Sequence, residues 1–128
     1  MRRRRRSAAV WLALTIPLIL LPQSARADAD SAALFKKHCG VCHILEKDGP
    51  KRQGPSLWGV LGRPIGSLEG FKYSKDLKAS EDKWTDERLD KWLEKPKSVF
   101  KSTFMIYKQK DPEIRAKIIA FLKTASRQ

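Results

Sequence analysis

The chain has 128 residues, which limits it to one small domain. Its formal net charge is +13, from 27 Lys and Arg residues against 14 Asp and Glu residues. The first 27 residues hold six arginines and no acid, so the remainder carries 21 basic and 14 acidic residues, a net charge of +7. Because those basic residues are interleaved with acidic ones, we do not expect nucleic acid to be a partner.

The opening segment, residues 1–27, has the pattern of a cleaved secretory signal. Arginines occupy residues 2–6, an apolar stretch covers residues 8–21, and residues 25–27 read Ala-Arg-Ala, a small-x-small cleavage pattern. A retained membrane anchor is the alternative, but the apolar stretch is short for a spanning helix and Pro17 interrupts it. We therefore expect cleavage and a soluble, periplasmic mature domain that does not span a membrane.

The mature domain, residues 28–128, is predicted to be all-α, with about four helices and long loops. No β-alternating run of useful length occurs. Residues 46–70 are dense in Gly and Pro, which predicts an ordered loop that wraps around something. About a hundred residues bury only a modest core, so we expect a cofactor to fill the middle.

Start or stop signals mark three of the four predicted helices. In chain order they are a helix over Ser31 to Ile44 with Ser31 as N-cap, a short helix over Tyr73 to Ala79, a helix opened by the N-cap Thr85 and stopped by Pro96, and a terminal helix capped by Asp111 with Pro112 at its first position.

The segment Cys39-Gly40-Val41-Cys42-His43 is a C-x-x-C-H motif, typical of covalent haem c attachment. Two thiols at this spacing can add to the two vinyl groups on one edge of a haem, and the following histidine then ligates the iron. A thiol–disulfide active site has the same C-x-x-C spacing but expects a thioredoxin-like βαβ context. A zinc site would need four ligands, crowded here into six residues that include the adjacent His38 and Cys39. We predict one haem c held by Cys39 and Cys42, with His43 on the iron.

The sixth iron ligand has two candidates in the mature domain, His38 and Met105. His38 lies beside the motif, on the same side of the haem as His43, so we expect a surface or packing role for it. Met105 lies in the irregular stretch before the terminal helix, far enough along the chain to cross over the haem. The prediction is a His43/Met105 pair, which raises the reduction potential relative to a His/His pair.

An ordered set of residues across the mature domain resembles the class I cytochrome c family, of the soluble mitochondrial and α-proteobacterial type. This resemblance implies the small all-α cytochrome c fold, with Phe35 packed against Ile118 and Phe121 where the first and last helices cross. The set is Phe35, the C-x-x-C-H motif, Gly54-Pro55-Ser56-Leu57, Gly62-Arg63, Gly70-Phe71-Lys72-Tyr73-Ser74, Trp84, Pro96-Lys97, Thr103, Met105 and Ile118-Ile119-Ala120-Phe121-Leu122-Lys123.

The resemblance also implies roles for residues around the haem. The Pro55 carbonyl should accept a hydrogen bond from the His43 ring, which fixes the tautomer and raises the basicity of the ligand. Arg63, Tyr73 and Trp84 should hydrogen-bond or pair with a haem propionate. The alternative is ordinary aromatic core for Tyr73 and Trp84, and a solvated surface charge for Arg63.

The chain departs from the family around the methionine. The family usually has Pro-Gly-Thr-Lys-Met, whereas residues 101–105 here read Lys-Ser-Thr-Phe-Met. We expect the absence of the proline and glycine to loosen this loop. The departure supports an alternative function, a haem protein with an open or labile distal site that is peroxidase-like or binds gases.

The expected function is one-electron transfer between redox complexes, by a periplasmic, monomeric, monohaem protein that is not an enzyme and takes no small-molecule substrate. A fixed haem subunit of a larger oxidoreductase is a further alternative. Basic residues flank the segments expected to border the haem edge, and they predict redox partners with acidic docking patches, although general solubility would explain them too. These residues are Lys36, Lys37, Lys51, Arg52, Lys97, Lys101, Lys108 and Lys110.

Overall fold

The structure is a computed structural model that describes residues 23–125. The predicted signal segment therefore lies outside the described residues, except for residues 23–27. Within the described range the protein has five helices and no strand; an isolated antiparallel bridge joins Pro64 and Lys83. The all-α prediction is confirmed. The helices are α1 (Gln23–His38), α2 (Lys75–Lys78), α3 (Asp86–Glu94), α4 (Pro96–Val99) and α5 (Pro112–Ala125).

The first helix differs from its prediction at both ends. Ser31 is not an N-cap: it lies inside α1, and its hydroxyl donates to the carbonyl of Ala27, four residues earlier, at 2.8 Å. The segment before Ser31 is rich in alanine, the strongest helix former, so the helix extends toward the N-terminus. At the other end α1 stops at His38, where the backbone N–H groups of Cys39 and Gly40 both donate to the Phe35 carbonyl. The C-x-x-C-H motif therefore forms a turn after α1.

The later helices begin where their caps predicted. The Thr85 hydroxyl accepts a hydrogen bond from the Arg88 N–H at 3.2 Å, and an Asp111 carboxylate oxygen accepts one from the Glu113 N–H at 2.8 Å. Pro96 ends α3 as predicted but also opens the one-turn helix α4, because the first position of a helix needs no N–H donor. This turn is the helix that the sequence analysis missed.

The core forms where α5 packs on α1 and α3. The rings of Phe35 and Phe121 lie 5.5 Å apart between centroids, as predicted for the crossing of the first and last helices. Ile118 has no exposed surface, and Leu122 is almost as deeply buried. An aromatic cluster adjoins this core, in which Trp92 of α3 contacts the rings of Trp84 and Phe100.

Replacing Ile118 with alanine is expected to lower the free energy of unfolding by about 2–5 kcal/mol, because it removes buried methyl groups and leaves a cavity. The control is Ile106→Ala, the same change at a side chain that is 84% exposed. That variant should lie within about 0.5 kcal/mol of the wild-type value. Chemical denaturation measures both, and equal losses in the two variants would contradict the burial of Ile118.

Candidate functional site

A cavity of about 440 Å³ opens beside the C-x-x-C-H turn and extends into the core. Core side chains of α3 and α5, among them Trp92, Leu93 and Ile118, form part of its wall. The cavity brings together every site residue predicted from the sequence. These residues are Cys39, Cys42, His43, Pro55, Arg63, Tyr73, Trp84 and Met105.

The two cysteines of the motif line the same cavity and differ in burial. Cys39 is buried, whereas Cys42 is half-buried and its thiol lies 3.4 Å from Oε1 of Gln53. Burial, with a smaller contribution from Cys42, raises the pKa of the Cys39 thiol to about 11. A thiol–disulfide active site requires the opposite shift, toward a reactive thiolate at neutral pH. The environment of Cys39 therefore argues against that alternative.

The imidazole of His43 is held in one orientation. Its Nδ1 donates to the Pro55 carbonyl at 2.7 Å, which leaves Nε2 with a lone pair for a metal ion. Burial lowers the pKa of His43, outweighing the opposing effect of this hydrogen bond, and so favours the neutral ring that ligates metals. Gly54 lies against the ring, and its N–H donates to the Cys42 carbonyl at 2.7 Å, which closes the loop around the histidine.

The cavity has a polar region near Arg63, Tyr73 and Ser74. The Arg63 guanidinium donates to the backbone carbonyls of Trp58 and Ser56, each at 2.9 Å, so part of its donor capacity is used within the protein. Burial raises the pKa of Tyr73, which keeps its phenol protonated at neutral pH.

Ser74 is a candidate that the sequence analysis did not assign. Its hydroxyl is buried, lines the cavity and has no hydrogen-bond partner among the described residues. A buried polar group without a partner is costly, so this hydroxyl fits a bound group that carries a hydrogen-bond acceptor. The sequence signal for it was its place in the family-like run Gly70-Phe71-Lys72-Tyr73-Ser74, to which no role was attached.

Met105 reaches the cavity from the segment between α4 and α5. Its backbone N–H donates to the Thr103 hydroxyl at 3.1 Å, and its side chain packs against the core. The neighbouring Phe104 and Ile106 are 74% and 84% exposed. All three residues line the cavity, and Met105 is the most buried of them.

Trp84 and His38 also line the cavity, whereas the predicted basic residues lie at the surface. Trp84 is buried, and its ring meets that of Trp92 edge to face at a centroid distance of 5.3 Å. His38 is half-buried and hydrogen-bonds to Tyr107. The sequence analysis expected a surface or packing role for His38 and did not predict this hydrogen bond. All eight basic residues expected to flank the site are exposed.

Sequence comparisons identify the family. The family model "Cytochrome c" matches residues 29–126, so the chain belongs to the cytochrome c family. A "Cytochrome c homolog" of Rickettsia bellii is 42% identical over 99 residues, 77% of this chain and 57% of that protein. The "Cytochrome c" of Gibberella zeae is 40% identical over 100 residues, 75% of this chain and 92% of that protein. A "Cytochrome c homolog" of Bradyrhizobium diazoefficiens is 39% identical over 113 residues, 86% of this chain and 60% of that protein. The chain thus matches little more than half the length of its bacterial relatives.

Membership of this family implies one covalently bound haem c. The cavity residues fit that group: two thiols, a neutral imidazole with an available Nε2, a thioether, largely apolar walls and a buried hydroxyl that lacks an acceptor. No helix within residues 23–125 is long and apolar enough to cross a membrane.

Proposed function

We propose that the protein is a periplasmic, monohaem electron carrier in which Cys39 and Cys42 hold the haem and His43 and Met105 ligate its iron. The observation that carries this proposal is the single cavity lined by both thiols, the oriented imidazole and the thioether. Haem bound there supplies an iron that cycles between Fe(III) and Fe(II). If His43 and Met105 both ligate the iron, no coordination position would be left for a substrate, and we infer that the protein is not an enzyme.

The protein's own residues set the electronic environment of the site. The Pro55 carbonyl accepts a hydrogen bond from the Nδ1–H of His43, which makes the ring a stronger ligand for iron. Apolar walls from side chains such as Leu77 and Leu93 favour the less charged of two redox states and so hold the potential up. Tyr73 and Ser74 can each donate a hydrogen bond to a propionate. Arg63 and Trp84, which also line the cavity, are assigned to the same role.

The positive charge of the surface near the cavity indicates which redox proteins can be partners. The exposed lysines Lys36, Lys37, Lys101 and Lys108 are neighbours in sequence of residues that line the cavity. Positive charge there attracts redox proteins with acidic docking patches, and association slows as salt rises. Periplasmic location is supported by the signal-like pattern of residues 1–27. We propose a monomer that exchanges electrons with such partners.

The decisive experiment is an optical titration of the haem-loaded protein with carbon monoxide in the reduced state. If Met105 ligates the iron, carbon monoxide leaves the wild-type spectrum unchanged, whereas it binds readily to Met105→Ala. Ready binding to the wild-type protein would instead support the peroxidase-like or gas-binding alternative. Purification of the wild-type protein only within a larger assembly would favour the fixed-subunit alternative.

A further inference from the structure

Two hydrogen-bonded pairs hold the segment that carries Met105, one on each side of the methionine. Before Met105, the Ser102 N–H donates to the Asp76 carboxylate at 2.9 Å, and the Asp76 N–H donates to the Ser102 hydroxyl at 3.0 Å. These reciprocal bonds join the segment to α2, where Asp76 lies. The bonds from Ser102 lower the pKa of the Asp76 carboxyl, which keeps it an ionised acceptor.

After Met105, the segment is joined to α1. The Tyr107 hydroxyl lies 3.0 Å from Nδ1 of His38, the last residue of α1. The side-chain amide of Gln109 donates to the same hydroxyl oxygen at 3.3 Å, so the hydroxyl proton is available for His38. The backbone N–H of Gln109 also donates to the Leu93 carbonyl at 2.8 Å. This network links the far end of the segment to the residue that precedes Cys39.

Between the two pairs, few other interactions hold the segment. The Thr103 N–H donates to the Phe100 carbonyl at 3.2 Å, and Thr103 is buried. Phe104 and Ile106 line the cavity but are largely exposed, so they bury little apolar surface against the rest of the chain. The usual Pro-Gly of the family is absent from residues 101–105. The two side-chain pairs therefore hold the segment closed.

We propose that Asp76 and His38 are positioning residues, which clamp the Met105 segment over the cavity from two sides and keep the thioether on the iron. The inference rests on the proposed assignment of Met105 as a ligand. An external ligand reaches the iron only when the segment opens, so its apparent affinity scales with the open fraction. Loss of one hydrogen-bonded pair should raise that fraction about 2- to 10-fold.

The test is a titration of the oxidised, haem-loaded protein with imidazole, followed optically. Tyr107→Phe, His38→Leu, Ser102→Ala and Asp76→Ala should each bind imidazole about 2- to 10-fold more tightly than wild type. Combining the two changes within one pair should add little to either single change, whereas combining changes from different pairs should multiply their effects. Asp48→Ala, at an exposed aspartate without a hydrogen bond in the described range, is the control and should leave the affinity within about twofold of wild type.

A second readout does not depend on imidazole. The Met105 amide, bonded to the Thr103 hydroxyl, should exchange its hydrogen faster in the four variants by a similar factor, because exchange follows opening of the segment. Asp48→Ala should leave this exchange rate unchanged.

The outcomes separate the clamp from the proposed ligand set. The affinity of Met105→Ala for imidazole is the reference value for a site without the methionine ligand. If wild type binds imidazole as tightly as Met105→Ala, Met105 is not a ligand and the ligand set fails. If wild type binds far more weakly but the four pair variants behave like wild type in both measurements, the clamp alone is overturned. If wild type binds imidazole weakly, the single variants bind it more tightly, and combining two changes within one pair adds little, then the clamp and the proposed ligand set are both supported.

Discussion

Replacing Gly54 with alanine is expected to displace the imidazole of His43 and to destabilise the haem-loaded protein. A Cβ at this position would overlap Cε1 of the His43 ring and would lie 2.5 Å from Nδ1 and 2.7 Å from Nε2. Favourable carbon contacts begin at about 3.5 Å, so the ring or the loop has to move. Movement of the ring breaks its bond to the Pro55 carbonyl, and movement of the loop breaks the bond from the Gly54 N–H to the Cys42 carbonyl.

The expected loss is roughly 2–6 kcal/mol in the free energy of unfolding, from overpacking together with an unpaired buried group. Chemical denaturation gives this value, and carbon monoxide binding in the reduced state reports on the iron ligands. Gly62→Ala is the matched control: Gly62 has a φ of +79°, and nothing lies within 4 Å of an added Cβ. That variant suffers backbone strain of about 1–2 kcal/mol but should keep the wild-type spectrum. A Gly54→Ala protein with wild-type stability and spectrum would rule out the close approach of Gly54 to His43.

Features encoded by neighbouring residues were predictable from the sequence. The caps Thr85 and Asp111 marked the starts of α3 and α5, because each depends on contacts within a few residues. The turn at the C-x-x-C-H motif was not predicted, since the first helix was expected to continue to Ile44 but ends at His38. Ser31 shows the limit of this reasoning. Its side chain suits an N-cap, but the alanine-rich stretch before it favours continued helix, and propensity over that stretch decided the outcome.

Contacts between residues far apart in the sequence could not be predicted, because no local sequence pattern marks them. Tyr107 and His38 are 69 residues apart, and Ser102 and Asp76 are 26 residues apart, so no spacing rule brings either pair together. The Ser74 hydroxyl became a candidate only when the fold showed that it is buried without a partner among the described residues. Such pairings are set by how the loops pack around the cavity, which depends on the whole fold.

The folded state should depend on the haem, and this dependence is a direct consequence of the cavity. An unfilled cavity of about 440 Å³ would cost about 10 kcal/mol at the penalty measured for enclosed cavities. This figure is an upper bound, since the exposed Val41 and Phe104 at the cavity wall show that it opens to solvent. It is nonetheless similar to the whole stability of a small domain, about 5–15 kcal/mol. Filling the cavity with haem should therefore contribute a large share of the stability of the fold.

The double substitution Cys39→Ala with Cys42→Ala is therefore expected to remove all covalently held haem and to leave a largely unfolded chain once the haem is extracted. Haem retained through denaturing electrophoresis measures the first effect, and far-ultraviolet circular dichroism measures the second. Cys42→Ala alone, which leaves the buried Cys39 thiol in place, is the matched control and should keep haem attached through one bond. A thiol–disulfide protein would behave differently, because its fold does not depend on filling this cavity. If the extracted double variant kept its helical signal and unfolded cooperatively, the cavity would not be a haem site on which folding depends.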